Sequence, residues 1–426
     1  MTGSFASGYD GLSEPARVLH RTLGVLFVER FTVPMAAALV DVTGPDALLR
    51  DLCRAGLVEC DADGYRARDA VREHGRSLMN RAEFDAALRR LIVWYLYRAA
   101  EADYTLMPGR WRDGPAYERL RGHPPEPNAG AAIRWLEGHR AELRAAVEAA
   151  AERRWADLVV QHAEAQWALC FQLKHYEHWL AIHRHAIVAA PDASDRRLAA
   201  RAHCQYGLGL LELGDFDGVT VEFAADRTAG DARATATDVE FKGLVLLRRS
   251  GAENLPDLTA TRPDLAVKAL GLFTDNLRLN LAMSEDAKDP RAVALAWRHR
   301  GRALSATSAH DDAVRHLCYA RDRFADLGDH YNEGKTLTDF GQALLRAGRI
   351  ADAAEPLRAA LGLLPADRHA AERATVLETL SARAARAEDR SATVVALIEA
   401  RELLRPLGGP RADAVAARLA ELKVQE

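Results

Sequence analysis

Small and apolar residues recur along the C-terminal part of the chain at an interval of 40 residues. Two stretches, beginning at Trp297 and Leu337, coincide in the pairs Gly301 and Gly341, Leu304 and Leu344, Ala313 and Ala353, Leu317 and Leu357, and Ala320 and Ala360. Apolar positions three to four residues apart are typical of a helix that buries one face. The repeat therefore predicts pairs of antiparallel helices, in which the glycine and the later alanine allow close approach.

The same plan extends in both directions from these two stretches. It continues downstream with Ser381, Leu397 and Ala400 in register, and upstream around Gly207 and Gly243. These residues resemble the tetratricopeptide repeat (TPR), whose closing proline is matched by Pro365. The resemblance implies a TPR superhelix, which is a right-handed α-solenoid.

One part of the repeat region departs from the 40-residue interval. The spacing stretches between Gly251 and Pro290, and this stretch contains Pro256 and Pro263. Because proline interrupts regular structure, we predict an irregular insertion at about residues 251–290.

Residues 9–80 follow a different pattern. Ser13 is placed to cap a first helix, Pro34 opens a second, and Thr43–Ala55 forms a third that ends before Gly56. Short apolar stretches on either side of an Asp-Ala-Asp-Gly turn predict a hairpin, and Asp69 begins a fourth helix. Three helices, a two-stranded wing and a closing helix predict a small winged-helix domain.

The segments YDGLSEPARVLHRTLGVL, ALLRDLCRAGLVE and YRARDAVREHGRSL carry a second resemblance. They are similar to the winged helix that follows the NB-ARC ATPase in actinobacterial STAND regulators, including the Streptomyces antibiotic regulatory protein type. The similarity continues through the tryptophan-containing segments into the repeats, and the sequence begins about where the ATPase domain of that family would end. The family's nucleotide-sensing histidine-aspartate pair is represented by Arg68-Asp69, so nucleotide binding does not carry over.

Together these patterns predict an all-α protein. We expect a tail at 1–8, the winged helix at 9–80, a helical connector at 81–150 and TPR-like helical repeats at 151–426.

The composition of the chain limits the ligands and the cellular compartment that we expect for it. The chain of 426 residues has 57 basic and 61 acidic side chains, a net charge of −4, so no strong positive field favours nucleic acid. Its five cysteines, Cys53, Cys60, Cys170, Cys204 and Cys318, form no CxxC pair, which is typical of reduced thiols. With no signal peptide and no long apolar run, we expect a cytoplasmic protein that does not associate with membranes.

The residues that could form catalytic or metal-binding motifs do not have the spacing that those motifs require. Gly334-Lys335-Thr336 spells the end of a P-loop, but Asp329 occupies the position of its first glycine, so we place Lys335 on the surface of a repeat helix. His175 and His178 lack the HExxH spacing of a zinc site. No nucleophile stands at a recognisable distance from a base. We therefore expect no catalytic residues, no metal and no cofactor.

The concave groove of the repeats is the strongest candidate for a binding surface. Positions that face this groove and avoid the helix contacts are expected to be exposed and mostly cationic. They are Arg298, Arg302, Lys335, Thr338, Gln342 and Arg346, with the packing and groove residues His175, Tyr176 and Trp179 upstream. A basic strip of this kind suits an acidic or C-terminal peptide.

The sequence thus predicts a non-catalytic scaffold or regulatory adaptor that binds a protein or an acidic peptide, in bacterial signalling or transcriptional regulation. A separate ATPase or transcription factor is a further expected partner. Three alternatives stay open: a DNA-binding regulator that uses the winged helix, a peptide-sensing receptor, and the sensor half of a nucleotide-controlled STAND switch. DNA binding is disfavoured because the third helix carries Arg50 and Arg54 against Asp46 and Asp51.

Overall fold

The computed structural model describes residues 8–40, 44–62, 64–223, 231–283 and 289–424, with side chains omitted at 220–223 and 423–424. The predicted tail up to residue 7, Thr43 and Asp63 lie outside the described residues. The chain divides into two units. The N-terminal unit comprises the described residues up to Leu106, Gly114–Gln166 and Pro191–Ser194. The C-terminal unit comprises Met107–Asp113, Trp167–Ala190 and the described residues from Asp195 onward.

The N-terminal unit begins with four short helices and a small antiparallel sheet. The helices are α1 (Glu14–Thr22), α2 (Val33–Val40), α3 (Asp46–Arg54) and α4 (Asp69–Ser77), and the strands are β1 (Arg30–Phe31), β2 (Glu59–Asp61) and β3 (Gly64–Arg66). The strand order is β1-β3-β2, with Cys60 opposite Tyr65. The predicted hairpin is therefore present. Helix α3 begins at Asp46, after Pro45, because proline favours the start of a helix.

Five further helices complete the N-terminal unit. They are α5 (Arg81–Leu106), α6 (Pro115–Glu118), α7 (Ala129–Gly138), α8 (Arg140–Glu152) and α9 (Ala156–Ala165). The long helix α5 buries Leu91, Ile92, Tyr95 and Leu96 against its neighbours. The assignment of residues 9–80 as a winged helix stays a prediction.

The C-terminal unit is built from helices alone among its described residues. They are α10 (Trp167–Phe171), α11 (Tyr176–Ala189), α12 (Arg196–Glu212), α13 (Phe216–Phe223), α14 (Ala232–Arg249), α15 (Pro263–Ala282), α16 (Pro290–Ala306), α17 (His310–Asp326), α18 (His330–Arg346), α19 (Ala354–Leu363), α20 (Ala370–Arg386), α21 (Arg390–Leu404) and α22 (Pro410–Val424). Helices α16, α18, α20 and α22 begin 40 residues apart, and consecutive helices pack against each other. The predicted all-α solenoid is confirmed. No described helix is long and apolar enough to cross a bilayer.

The repeated glycines mark the places where paired helices approach most closely. A Cβ added at Gly341 would lie 2.6 Å from Leu357 Cγ, and one at Gly301 would lie 2.8 Å from Leu317 Cγ. Both leucines are fully buried. The sequence therefore needs glycine here for space, since both positions lie inside α-helices.

The predicted insertion at 251–290 is shorter than expected. Pro263 opens a helix of 20 residues, α15, whose Phe273 packs beneath Gly243 of α14. Proline at the first helical position is compatible with a helix, so Pro263 starts regular structure rather than interrupting it. Among the described residues of this stretch, the longest irregular part is residues 251–262, which we call the inner segment.

Candidate functional site

The first helices of successive repeats form the inner face of the C-terminal unit. Helix α12 packs against α14, α14 against α16, α16 against α18, and α18 against α20. A cavity of about 1470 Å³ opens on this face and takes most of its lining from these five helices. Ligand cavities are commonly about 300–1,000 Å³, so this one has room for more than a small metabolite.

One wall of the cavity is aromatic. Trp167 and Phe171 stack with ring centroids 5.1 Å apart, and both line the cavity together with Tyr176. Helix α12 contributes Leu208 and Leu211 to the same lining. The wall can therefore hold apolar side chains of a ligand.

A continuous series of ion pairs lines another part of the cavity. It alternates in sign in the order Glu372, Lys174, Glu212, Arg248, Glu253, Arg302, Asp339 and Arg298. The closest contacts are Arg302 Nη2 to Glu253 Oε1 at 2.5 Å and Arg298 Nε to Asp339 Oδ2 at 2.6 Å. We call these eight residues the ion-pair chain. Four acids and four bases make it neutral.

Burial and pairing compete at each group of the ion-pair chain. Burial alone raises the pKa of a carboxyl group, but Lys174 and Arg248 outweigh it and lower the pKa of Glu212 to about 2. The same competition, with Arg302 and Arg248 as the partners, lowers the pKa of Glu253 to about 2. Against burial, Glu212 and Glu372 raise the pKa of Lys174 above its usual range. These groups stay ionised near neutral pH.

The inner segment lies on the same face and is held by arginines. Arg346 donates from Nε to the Leu258 carbonyl at 2.9 Å and from Nη2 to the Ala252 carbonyl, and Arg386 donates to the Asp257 carbonyl at 3.1 Å. Arg346 and Arg386 are 40 residues apart, so they occupy equivalent positions in successive repeats. The side chain of Leu258 is buried in the core of these repeats. The inner face thus binds an irregular stretch of chain mainly through its backbone carbonyls.

The structure brings together five of the nine predicted site residues. Tyr176, Arg298, Arg302, Lys335 and Gln342 line the cavity. Trp179 is fully buried, and its Nε1 donates to the Gln205 carbonyl at 2.9 Å, beside the close contact at Gly209. Thr338 is buried and donates to the Gly334 carbonyl, and His175 precedes α11 outside the cavity lining.

The predicted exposure of the groove cations is wrong. Arg298 is only 5% exposed, Arg302 is paired with Glu253, and Arg346 is committed to the inner segment and to Ser305 Oγ. Their partners lie far along the sequence, so the helical spacing that placed them on the inner face could not show that they are paired.

Lys335 also differs from its predicted surface position. Its ammonium group lies in the cavity wall, 5.1 Å from the centre of the Phe171 ring and 4.9 Å from that of Tyr331. Burial, together with the nearby Arg298, lowers the pKa of Lys335 to about 7.

The acidic half of the site and Lys174 are not among the residues that the sequence predicts. Glu212 and Glu372 lie on first helices, at the end of α12 and the start of α20, so their repeat positions were a usable signal. Glu253 lies in the irregular inner segment, where no periodicity marks it. Lys174 adopts a positive φ of 57° in the turn before α11, which the sequence did not indicate.

In the N-terminal unit, the residues considered for other functions are engaged with each other. Arg54 pairs with Asp51 within α3, Arg68 with Glu59, and Asp69 with Arg72. DNA binding and nucleotide control therefore receive no added support.

Comparison with known proteins gives similarities to solved structures. No protein-family model matches the sequence, and no curated protein matches it. A solved structure of a Signal Transduction ATPase with Numerous Domains (STAND) protein with a tetratricopeptide repeat sensor, from Pyrococcus horikoshii, is similar at 15% identity and a TM-score of 0.43. The match covers 97% of this chain and 63% of that chain, so this chain spans somewhat less than two thirds of its length.

Proposed function

We propose that this protein binds a peptide in the cavity on the inner face of its C-terminal unit and acts as a non-catalytic regulatory scaffold. The peptide belongs to a partner protein or is a free signal. The proposal includes no covalent step.

The observation that carries this proposal is the inner segment. Arginines at equivalent repeat positions hold it by its main-chain carbonyls, while Leu258 enters an apolar core. Recognition of backbone groups together with pockets for side chains is the usual way in which proteins bind peptides. The adjoining cavity, with its aromatic wall and its partnered charges, has room for a second stretch of chain.

The size of the cavity also favours a peptide. At about 1470 Å³ it exceeds the common range for small-molecule sites, and its lining mixes apolar and charged groups. A folded partner would engage the cavity through a protruding segment, so both kinds of partner present the same chemistry.

The test is selection from a random peptide pool on the full-length protein, followed by calorimetry with the recovered peptides. Thr237 lines the cavity and belongs to none of the ion pairs above, so Thr237→Trp fills the space without breaking the ion-pair chain. We expect this variant to lose affinity at least about tenfold, which corresponds to about 1.4 kcal/mol.

The matched control is Val267→Trp, which adds the same side chain at an exposed position of α15 outside the cavity. It should bind like the wild type. If no peptide is recovered, or if both variants bind equally well, the cavity is not a peptide site.

A further inference from the structure

Lys335 lines this cavity beside the ion-pair chain without belonging to it. Its Nζ lies 3.4 Å from Tyr331 Oη, and it forms no ion pair with any carboxylate of the described residues. The rings of Phe171 and Tyr331 lie beside the ammonium group. Because the ion-pair chain is neutral, a protonated Lys335 adds one positive charge beside it.

The charged and titratable groups around Lys335 come from every neighbouring element. Arg298 approaches from α16, Lys174 from the turn before α11, Glu212 from α12 and Glu372 from α20. Glu372 Oε1 accepts from Tyr331 Oη at 2.8 Å, while its Oε2 has no hydrogen-bond partner in the described structure. His369, which precedes α20, has its pKa lowered to about 4, mainly by burial, and is neutral at pH 7.

We propose that Lys335 anchors a single carboxylate of the peptide that occupies the cavity. The inference rests on the proposed function and specifies the chemistry of its ligand. One carboxylate would give Lys335 the acidic partner that each base of the ion-pair chain already has.

The surroundings favour a carboxylate over a phosphate. Glu212 and Glu372 are ionised nearby, and they would repel a doubly charged group more strongly than a singly charged one. Arg298 donates from Nε to Asp339 Oδ2 at 2.6 Å, so its charge already has a carboxylate partner. A lysine acting alone is a point charge, which suits one carboxylate oxygen.

Binding at Lys335 should be coupled to proton uptake. Burial first, and Arg298 second, lower the pKa of Lys335 to about 7 in the empty cavity. A bound carboxylate favours the charged amine and raises this pKa. The affinity is therefore constant below about pH 7 and falls as the pH rises above it, because the free amine must then take up a proton to bind.

The first experiment measures the affinity of the best selected peptide at pH 6.5 and pH 8.5, values on either side of about 7. We expect Lys335→Met to bind about tenfold to a hundredfold more weakly at the lower pH, as for loss of a charged hydrogen bond. Lys335→Arg should keep the binding and lose the dependence on pH, since arginine stays protonated. The control Lys268→Met, at an exposed position of α15, should behave like the wild type.

Variants of the peptide identify the source of the carboxylate. Loss of affinity on C-terminal amidation assigns the chain terminus, and loss on Asp→Asn or Glu→Gln replacement assigns a side chain. If no carboxylate of the peptide matters, or if Lys335→Met binds normally, the inference is overturned while the proposed function stands.

A second experiment does not require the peptide. Thermal unfolding with increasing acetate, and with neutral acetamide as its control, probes the carboxylate site directly. We expect acetate to raise the melting temperature of the wild type relative to that of Lys335→Met, each compared with its own baseline, and acetamide to have no such effect. Equal responses of the two proteins, including none in either, would contradict the inference.

Discussion

The small sheet of the N-terminal unit carries an ion pair at its surface, whereas the C-terminal unit carries several ion pairs in the wall of a cavity. Arg30 and Asp61 pair across the small sheet with side chains 50% and 46% exposed. Arg298 and Asp339 pair with side chains 6% and 12% exposed. Solvent screens the first kind of pair, so it contributes little to stability. In the second kind each charge depends on its partner, because water does not replace a partner that is removed.

The largest expected effect comes from breaking the buried part of the ion-pair chain. Asp339→Ala leaves Arg298 without its carboxylate and deprives Arg302 of one of its two, so we expect a loss of about 3–5 kcal/mol in the free energy of unfolding. Urea denaturation of the full-length protein measures it. A loss below about 1 kcal/mol is typical of surface ion pairs, and it would show that the ion pairs of the two units contribute equally to stability.

The next effect concerns packing between paired helices. In Gly341→Ala the new methyl group would lie 2.6 Å from Leu357 Cγ, so we expect a loss of about 1–3 kcal/mol from overpacking. Gly362, also helical, has no neighbour within 4 Å of an added Cβ. Gly362→Ala should therefore be neutral or stabilise by up to about 1 kcal/mol. Equal losses in the two variants would refute the close-approach explanation.

The third effect comes from replacing Lys335, which should stabilise the protein, whereas Asp339→Ala and Gly341→Ala destabilise it. The pKa of Lys335 is about 7 in the fold and higher in the unfolded chain, so the unfolded state binds more protons between these values. Removing the amine in Lys335→Met should raise the melting temperature by a few degrees at pH 6. The advantage should shrink as the pH rises from 7 towards 10. A Met variant that melts below the wild type at pH 6 would show that Lys335 is stabilised in its place.

The smallest effect belongs to the surface pair of the N-terminal unit. Asp61→Ala should change the free energy of unfolding by about 0–1 kcal/mol, and added salt should reduce even this difference. Urea denaturation of Asp61→Ala and Asp339→Ala under the same conditions compares the contribution of a surface ion pair with that of a buried one.

The sequence predicts the repeat well because the signal is local and periodic. Gly301 and Gly341 locate their helices, and the helix starts at 290, 330 and 370 follow the 40-residue interval. The same interval also indicates α22, which begins at Pro410. Pro263 leads to a wrong prediction, because the sequence does not distinguish a proline in the first turn of a helix from a proline in a loop.

The site is less predictable because its partners are distant. Helical spacing places Arg298 and Arg302 on the inner face, but Asp339 and Glu253 reach them from other elements. Trp179 is buried because Gly209, which has no side chain, leaves room for its ring. The two residues lie on different helices, and the spacing of residues within each helix does not reveal this contact. Positions on a face are therefore readable from sequence, whereas exposure and protonation depend on what packs against that face.

The inner segment changes how this solenoid is expected to fold. In an ideal repeat protein each unit contacts only its neighbours, so contacts are local and folding can begin anywhere. Here the hydrogen bond from Arg386 to Asp257 joins residues 129 positions apart. Closing such a loop is entropically expensive, and a higher share of non-local contacts slows folding. The helices from α14 to α20 should consequently acquire protection from hydrogen exchange together and late, as one cooperative block rather than as a row of independent repeats.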